Sequence, residues 1–173
     1  TFVSQAEGRG DFRSAGGYVW QAFYLAAVFA VLLAPVALLT PQWLGAYAAW
    51  ANHPADVVPL EIAYVRIGLW SIAPAVVCFG LNAFFNGIHR PWVGMTAGIV
   101  TLVLNALGNW LLIFGHWGFP ALGIAGAAWA TLFGWCVRAC VLLALFLAPA
   151  VDARYNTRRS LAFSWSRLRG LLY

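Results

Sequence analysis

Four long apolar runs divide the chain, at residues 18–39, 62–88, 92–114 and 122–148. Each is long enough to cross the hydrocarbon layer of a bilayer, which takes roughly 20 residues of helix. Helix is the predicted state of all four, because an open strand in lipid would leave backbone groups unpaired. The strict alternation of a membrane barrel strand is absent. Polar and helix-breaking residues mark the ends of the runs. Thr40-Pro41 ends the first, and Pro54 and Pro59 break the connector that follows. Arg90-Pro91 makes a short turn between the second and third. Gly115, Gly118 and Pro120 separate the third from the fourth, and Pro149 closes the fourth. The stretch from Asp152 to Arg169 is polar and reads as a surface segment. Ser160 to Tyr173 reads as an interfacial helix or the entry to a further membrane helix. No internal repeat is visible.

Composition sharpens this picture. Of 173 residues 63% are hydrophobic and 9% charged, with a mean hydropathy of +0.80. A soluble domain is nearer half apolar and a quarter charged, so there is too little polar surface here to cover a water-soluble fold. Thr1 in place of an initiator Met suggests a piece of a longer protein, and the first apolar run is too long for a signal-peptide core.

The net charge is +5, and all ten basic residues are arginine. They lie at run ends rather than in a patch interleaved with aromatics, which excludes a nucleic-acid surface. Arg9 and Arg13 precede the first run, Arg90 lies in the second connector, and Arg154, Arg158, Arg159, Arg167 and Arg169 follow the fourth. The first connector holds Asp56 and Glu61 with no basic residue, and the third holds no Asp, Glu, Lys or Arg. Four crossings place every loop arginine on one side, which the positive-inside rule makes cytoplasmic. Trp43, Tyr47, Trp50, Trp110 and Trp117 fall towards the opposite ends, where an aromatic belt is expected.

Candidate chemistry lies in polar residues at helical spacing. Ser71, Pro74, Cys78, Asn82 and Asn86 share a face of the second run. Gly94, Gly98, Thr101, Asn105 and Asn109 share one of the third, and Gly123, Ala127, Thr131, Gly134 and Arg138 one of the fourth. The first run offers Gln21 and Tyr24. Glycines and alanines at this spacing serve close helix packing. For Asn105 and Asn109 an interhelical hydrogen bond and a ligand site are even alternatives. Pro74 suits a kink or hinge. Arg66 is near an outer end, where it snorkels or pairs with Glu61. Arg138, mid-run, needs a carboxylate or carbonyl partner on a neighbouring helix.

No catalytic constellation and no metal site is suggested. Cys78, Cys136 and Cys140 read as small buried hydrophobes, and the three histidines lie in connectors.

Five stretches together resemble the multidrug and toxic compound extrusion (MATE) transporters, with the bacterial NorM-like branch the nearest likeness. The stretch from Thr1 to Asp11, TFVSQAEGRGD, resembles the loop after their second helix. Tyr64-Val-Arg-Ile67 and Phe85-Asn-Gly-Ile-His-Arg-Pro91 are similar to the two ends of their fourth. Asn105 to Gly115, NALGNWLLIFG, resembles the fifth, and Phe119 to Thr131, FPALGIAGAAWAT, the start of the sixth.

The resemblance implies an all-α integral membrane fold. The four runs would be helices three to six of an N-terminal six-helix lobe filling residues 1–150, with 151–173 a cytoplasmic linker towards a second lobe. It implies an inner-membrane antiporter, monomeric as the whole protein and needing no cofactor. Such an antiporter exports organic cations or amphipathic compounds in exchange for Na⁺ or H⁺ by alternating access.

Some members hold a cation or proton with an Asn and, four residues on, an Asp of helix five, a Thr of helix six and an Asp of helix one. Asn105 matches the Asn, Asn109 stands where that Asp would be, and Thr131 matches the Thr. An amide at Asn109 takes up no proton and neutralises no ion. N-lobe coupling therefore depends on the helix-one Asp, which lies outside this chain.

Asn82, Asn86, Asn105, Asn109 and Thr131 are the expected lining of the cavity or ion site, with Arg138 as a buried charge. Two rival readings remain. One is a lipid-linked oligosaccharide flippase of the same superfamily, for which Arg66 and Arg138 would meet pyrophosphate. The other is a membrane enzyme or structural subunit. The unburied inner faces left by absent helices predict that these residues do not fold alone.

Overall fold

The computed structural model describes residues 2–158, and within them every regular element is helical. The expected segment from Ser160 onward lies outside the described residues. In chain order the elements are α1 (Phe2–Gly8), α2 (Phe12–Leu38), α3 (Thr40–Trp50), α4 (Val58–Gly87), α5 (Pro91–Phe114), α6 (Ile124–Phe146) and α7 (Pro149–Tyr155). A short 3₁₀ turn, His116–Gly118, joins α5 towards α6.

The four predicted runs are α2, α4, α5 and α6. Each contains a stretch long and apolar enough to span a membrane: Ala15–Leu38, Val58–Gly87, Pro91–Phe114 and Ile124–Phe146. At most 22% of the 18-residue apolar core of any such stretch is buried within the unit. The remaining apolar surface far exceeds what a monomeric soluble protein exposes.

The prolines act differently from the reading above. Pro41, Pro59, Pro91 and Pro149 all sit in the first turn of a helix, so they start elements rather than end them. A first-turn residue has no intrahelical acceptor for its N–H, and proline's fixed φ already suits the helix. Pro41 accordingly opens α3, an element absent from the expected connector. α2 runs almost directly into it. Thr40 Oγ1 donates to the Ala37 carbonyl (2.9 Å) and Trp43 Nε1 to the Val36 carbonyl (3.0 Å), satisfying the last turn of α2 from the next helix. Pro74 lies within an unbroken α4, as Pro35 does within α2.

α4 is the centre of the unit. It packs against α2 on one side and α6 on another, and α6 in turn packs along α5. Small residues seal these crossings, Gly134 as its spacing predicted and Gly80 and Gly108 without such a signal. Gly80 of α4 lies directly against Ala22 of α2. Gly126, Gly108 and Gly134 lie on the α5–α6 seam against Leu112, Ala130 and Thr101 respectively.

The continuous core is at one end of the bundle. Val3 and Ala6 of α1, Val19, Leu81, Phe84, Phe85, Leu142 and Phe146 are buried there together. Cys78 joins them, but Cys136 and Cys140 are exposed. The exception has a plain cause, since both lie on faces of α6 that no other described helix covers.

The stretch from Pro149 to Arg158 is also part of this core, not a loose surface segment. Val151, Tyr155 and Thr157 are buried. Trp20 Nε1 donates to the Thr157 carbonyl (2.7 Å), Tyr155 packs edge-on against Phe12 and Phe84, and Glu7 accepts from both Arg154 and Tyr155. The α1 region, the α4–α5 turn and α7 therefore gather at one end, as the arginine count required. At the opposite end Tyr47 packs near Trp50 and edge-on to His53, and Trp110 stacks on His116 at 4.1 Å.

Candidate functional site

The polar stripes of α5 and α6 face one another, but they form two clusters rather than one. The first is a relay along the seam. Asn109 Nδ2 donates to Asn105 Oδ1 (3.1 Å), Asn105 Nδ2 donates to Thr131 Oγ1 (3.2 Å), and Thr131 Oγ1 donates to the Ala127 carbonyl (3.0 Å). The four-residue spacing places both amides on one face of α5. The relay ends on an acceptor, since Asn109 Oδ1 is buried with no hydrogen-bond partner among the described residues. A hollow of about 300 Å³ lined by Gly98, Thr101, Leu102, Asn105, Thr131 and Trp135 opens beside it.

The second cluster lies about 16 Å along α5 from Asn105, at 1.5 Å per residue, near the end where α1 and α7 gather. Gly94 is its hinge point. Its missing side chain leaves room for the Asn82 amide of α4, and its carbonyl accepts from Arg138 Nη2 of α6 at 3.3 Å. Asn82 Oδ1 and Arg138 Nε are both buried without a partner among the described residues. The guanidinium also lies 5.7 Å from the Trp135 ring centre. Arg138 thus has the expected carbonyl partner. Its long stem carries the charge from mid-helix down to the first turn of α5.

Asn86 joins neither cluster, since it is exposed in the last turns of α4. Arg66 is exposed as well, and Glu61 takes His53 (3.0 Å) in place of it. The strap from Pro149 to Arg158 was missed in sequence because its anchors, Trp20, Phe12 and Glu7, are more than 130 residues away.

Helices of this length and apolarity, sealed by small-residue crossings and carrying amides in their seams, define an all-helical multi-pass membrane protein. The MatE family model matches residues 1–111, and the chain belongs to that family of integral membrane transporters. A probable multidrug resistance protein NorM of Rhizobium meliloti is 40% identical over 130 residues, covering 75% of this chain and 27% of that protein. A probable NorM of Geobacillus kaustophilus is 33% identical over 83% of the chain and 31% of its own length. The multidrug resistance protein MdtK of Cronobacter sakazakii is 29% identical over 98% of the chain, against 36% of its own length. The chain therefore spans between a quarter and two fifths of these relatives. No solved structure matches it. Membership sets aside the membrane-enzyme reading, since these proteins are transporters.

Proposed function

We propose that these residues form helices three to six of the N-terminal lobe of a cation-coupled antiporter. The antiporter exports cationic or amphipathic compounds by rocking between inward- and outward-open states. Family membership supports the transport class, and relatives named multidrug resistance proteins support the substrate class. The arginine-rich end, where α1 and α7 meet, is assigned to the cytoplasmic face of the inner membrane.

The observation that carries the coupling reading is the relay from Asn109 through Asn105 to Thr131, ending on a buried amide oxygen. Amide and hydroxyl oxygens are hard neutral ligands, which suit a bare cation and do not titrate. No Asp or Glu lies between Glu61 and Asp152. Of the two candidate ions, the relay therefore suits Na⁺, with any compensating carboxylate supplied from outside this chain.

The test is ethidium efflux by the intact protein in proteoliposomes, driven by a Na⁺ or a pH gradient. Asn105→Leu and Thr131→Val are expected to weaken the Na⁺ dependence, with protein level unchanged. Gradient dependence identical to wild type in both variants would overturn the assignment.

A further inference from the structure

Arg138 has no counter-charge within ion-pair distance among the described residues. All five acidic residues are at Glu61 or before it, or at Asp152, and Arg138 makes no ion pair among the described residues. Among the described residues its single hydrogen bond, to the Gly94 carbonyl, is long at 3.3 Å, and its buried Nε has no partner. A guanidinium at membrane depth with one weak acceptor is costly, and such a charge takes an anionic partner where one is within reach.

The space beside the guanidinium has a defined shape. A groove of about 110 Å³ runs between α5 and α6, lined mainly by Val93, Ala97, Val100, Val137, Val141 and Leu145, with Thr96, Thr101 and Arg138 as its polar members. With roughly 30 Å³ for each water-sized group, it holds three or four such groups. That is far below the ~300 Å³ of even a small drug pocket. At 3.6 residues per turn, Val93, Val100, Val137 and Val141 fall on the flank of the seam away from Leu102, Thr131 and Trp135. Trp135 packs on Phe79 of α4, and Thr101 stands between the groove and the hollow beside the amide relay, lining both. Further along the same flank the lining is wholly apolar, with Leu111, Leu122, Trp129 and Phe133. The flank is mainly apolar, with one cationic group set into it a turn or so from the arginine-rich end. Arg90, at the N-cap of α5, adds a second positive charge at the same end of the helix pair.

We propose that this groove is a binding site for an anionic phospholipid. The phosphate would meet Arg138 and the first acyl methylenes would lie along the valines. A mainly apolar lining with a cationic centre matches a lipid phosphate better than a free anion, which would leave the valines against water. The proposal is independent of which ion drives transport.

The test is native mass spectrometry of the intact protein, offered phosphatidylglycerol, phosphatidylcholine or inorganic phosphate. Wild type is expected to retain phosphatidylglycerol over phosphatidylcholine by about tenfold, the ratio that 1.4 kcal/mol supplies. Arg138→Gln should lose that preference and Arg138→Lys keep part of it. Val141→Trp, which leaves the arginine in place and fills the groove, should lose it too. Since Arg138→Gln risks misfolding, Val141→Trp and Arg138→Lys carry the decision by themselves. Retention equal to wild type in Val141→Trp overturns the site. So does displacement of the lipid by inorganic phosphate, which would mark a free-anion site. Absence of any preference in wild type also overturns it, because a carboxylate from elsewhere in the protein would then hold Arg138.

Discussion

Gly126→Ala is the most direct probe of how the α5–α6 seam holds the amide relay. A Cβ built on Gly126 would stand 2.5 Å from the Leu112 carbonyl oxygen and 2.6 Å from its carbon. That is about 0.9 Å short of ordinary contact. The obstacle is backbone, so no rotamer change relieves it and the two helices must part. Overpacking of this kind costs about 1–3 kcal/mol.

The relay is about 7 Å further along α6, at Thr131. Its 3.2 Å link from Asn105 fails as a hydrogen bond once the separation passes about 3.5 Å, and half the forced displacement achieves that. The thermal midpoint of the intact protein in detergent should therefore fall, by about 2–4 °C for each kcal/mol in a unit of this size. Na⁺-driven efflux should fall with it. Gly68→Ala is the control. Nothing lies within 4 Å of a Cβ there, and alanine gains up to about 1 kcal/mol of helix propensity. A Gly126→Ala protein that melts with wild type and keeps its gradient dependence would refute the close-packed seam.

Two further expectations concern the strap formed by α7. Glu7→Ala should speed hydrogen exchange over residues 149–158, because the buried Tyr155 hydroxyl loses its acceptor at a cost of about 1–2 kcal/mol. The Arg154 partner is 57% exposed and adds little, so Arg154→Ala should change exchange far less, and equal effects would contradict this division. Burial, then the charge of Glu7, raise the Tyr155 hydroxyl above its ordinary 10.0. The folded state therefore holds that proton more tightly than the unfolded one. Its contribution is complete below about pH 10 and is lost as pH rises through the raised value. Between pH 8 and pH 11 wild type should lose more thermal stability than Tyr155→Phe, and equal losses would remove the hydroxyl from the account.

The spanning helices were legible in sequence because lipid imposes one demand on every residue of a run, and runs such as 92–114 need no knowledge of neighbours. The ends were less so. Pro41 and Pro149 looked like stops, since a proline forbids continuation but equally permits a start, and only the residues packed against α3 and α7 decide between the two. Thr131 was joined to Asn105 and Asn109 by the family resemblance, while spacing placed the two amides on one face. It did not separate Asn82 from them, because helical periodicity fixes a face but not a height. Arg138 shows the same limit. Its Cα is mid-helix, while the charge is carried to Gly94 by a side chain whose direction no periodicity encodes.

α4 stands between two partnerships. Among the described helices α2 leans on it from one side and the α5–α6 pair from the other, while α2 and α5 do not pair. A strain applied to α2 along its spanning length therefore reaches the amides of α5 mainly by passing through α4. That rod carries Pro74 near its midpoint, where the backbone has no hydrogen to give and one carbonyl goes without its helical bond. The compliant joint of the unit is thus built into the member that both sides rest upon. A bend there would tilt α2 against α5 and α6 while leaving each crossing intact.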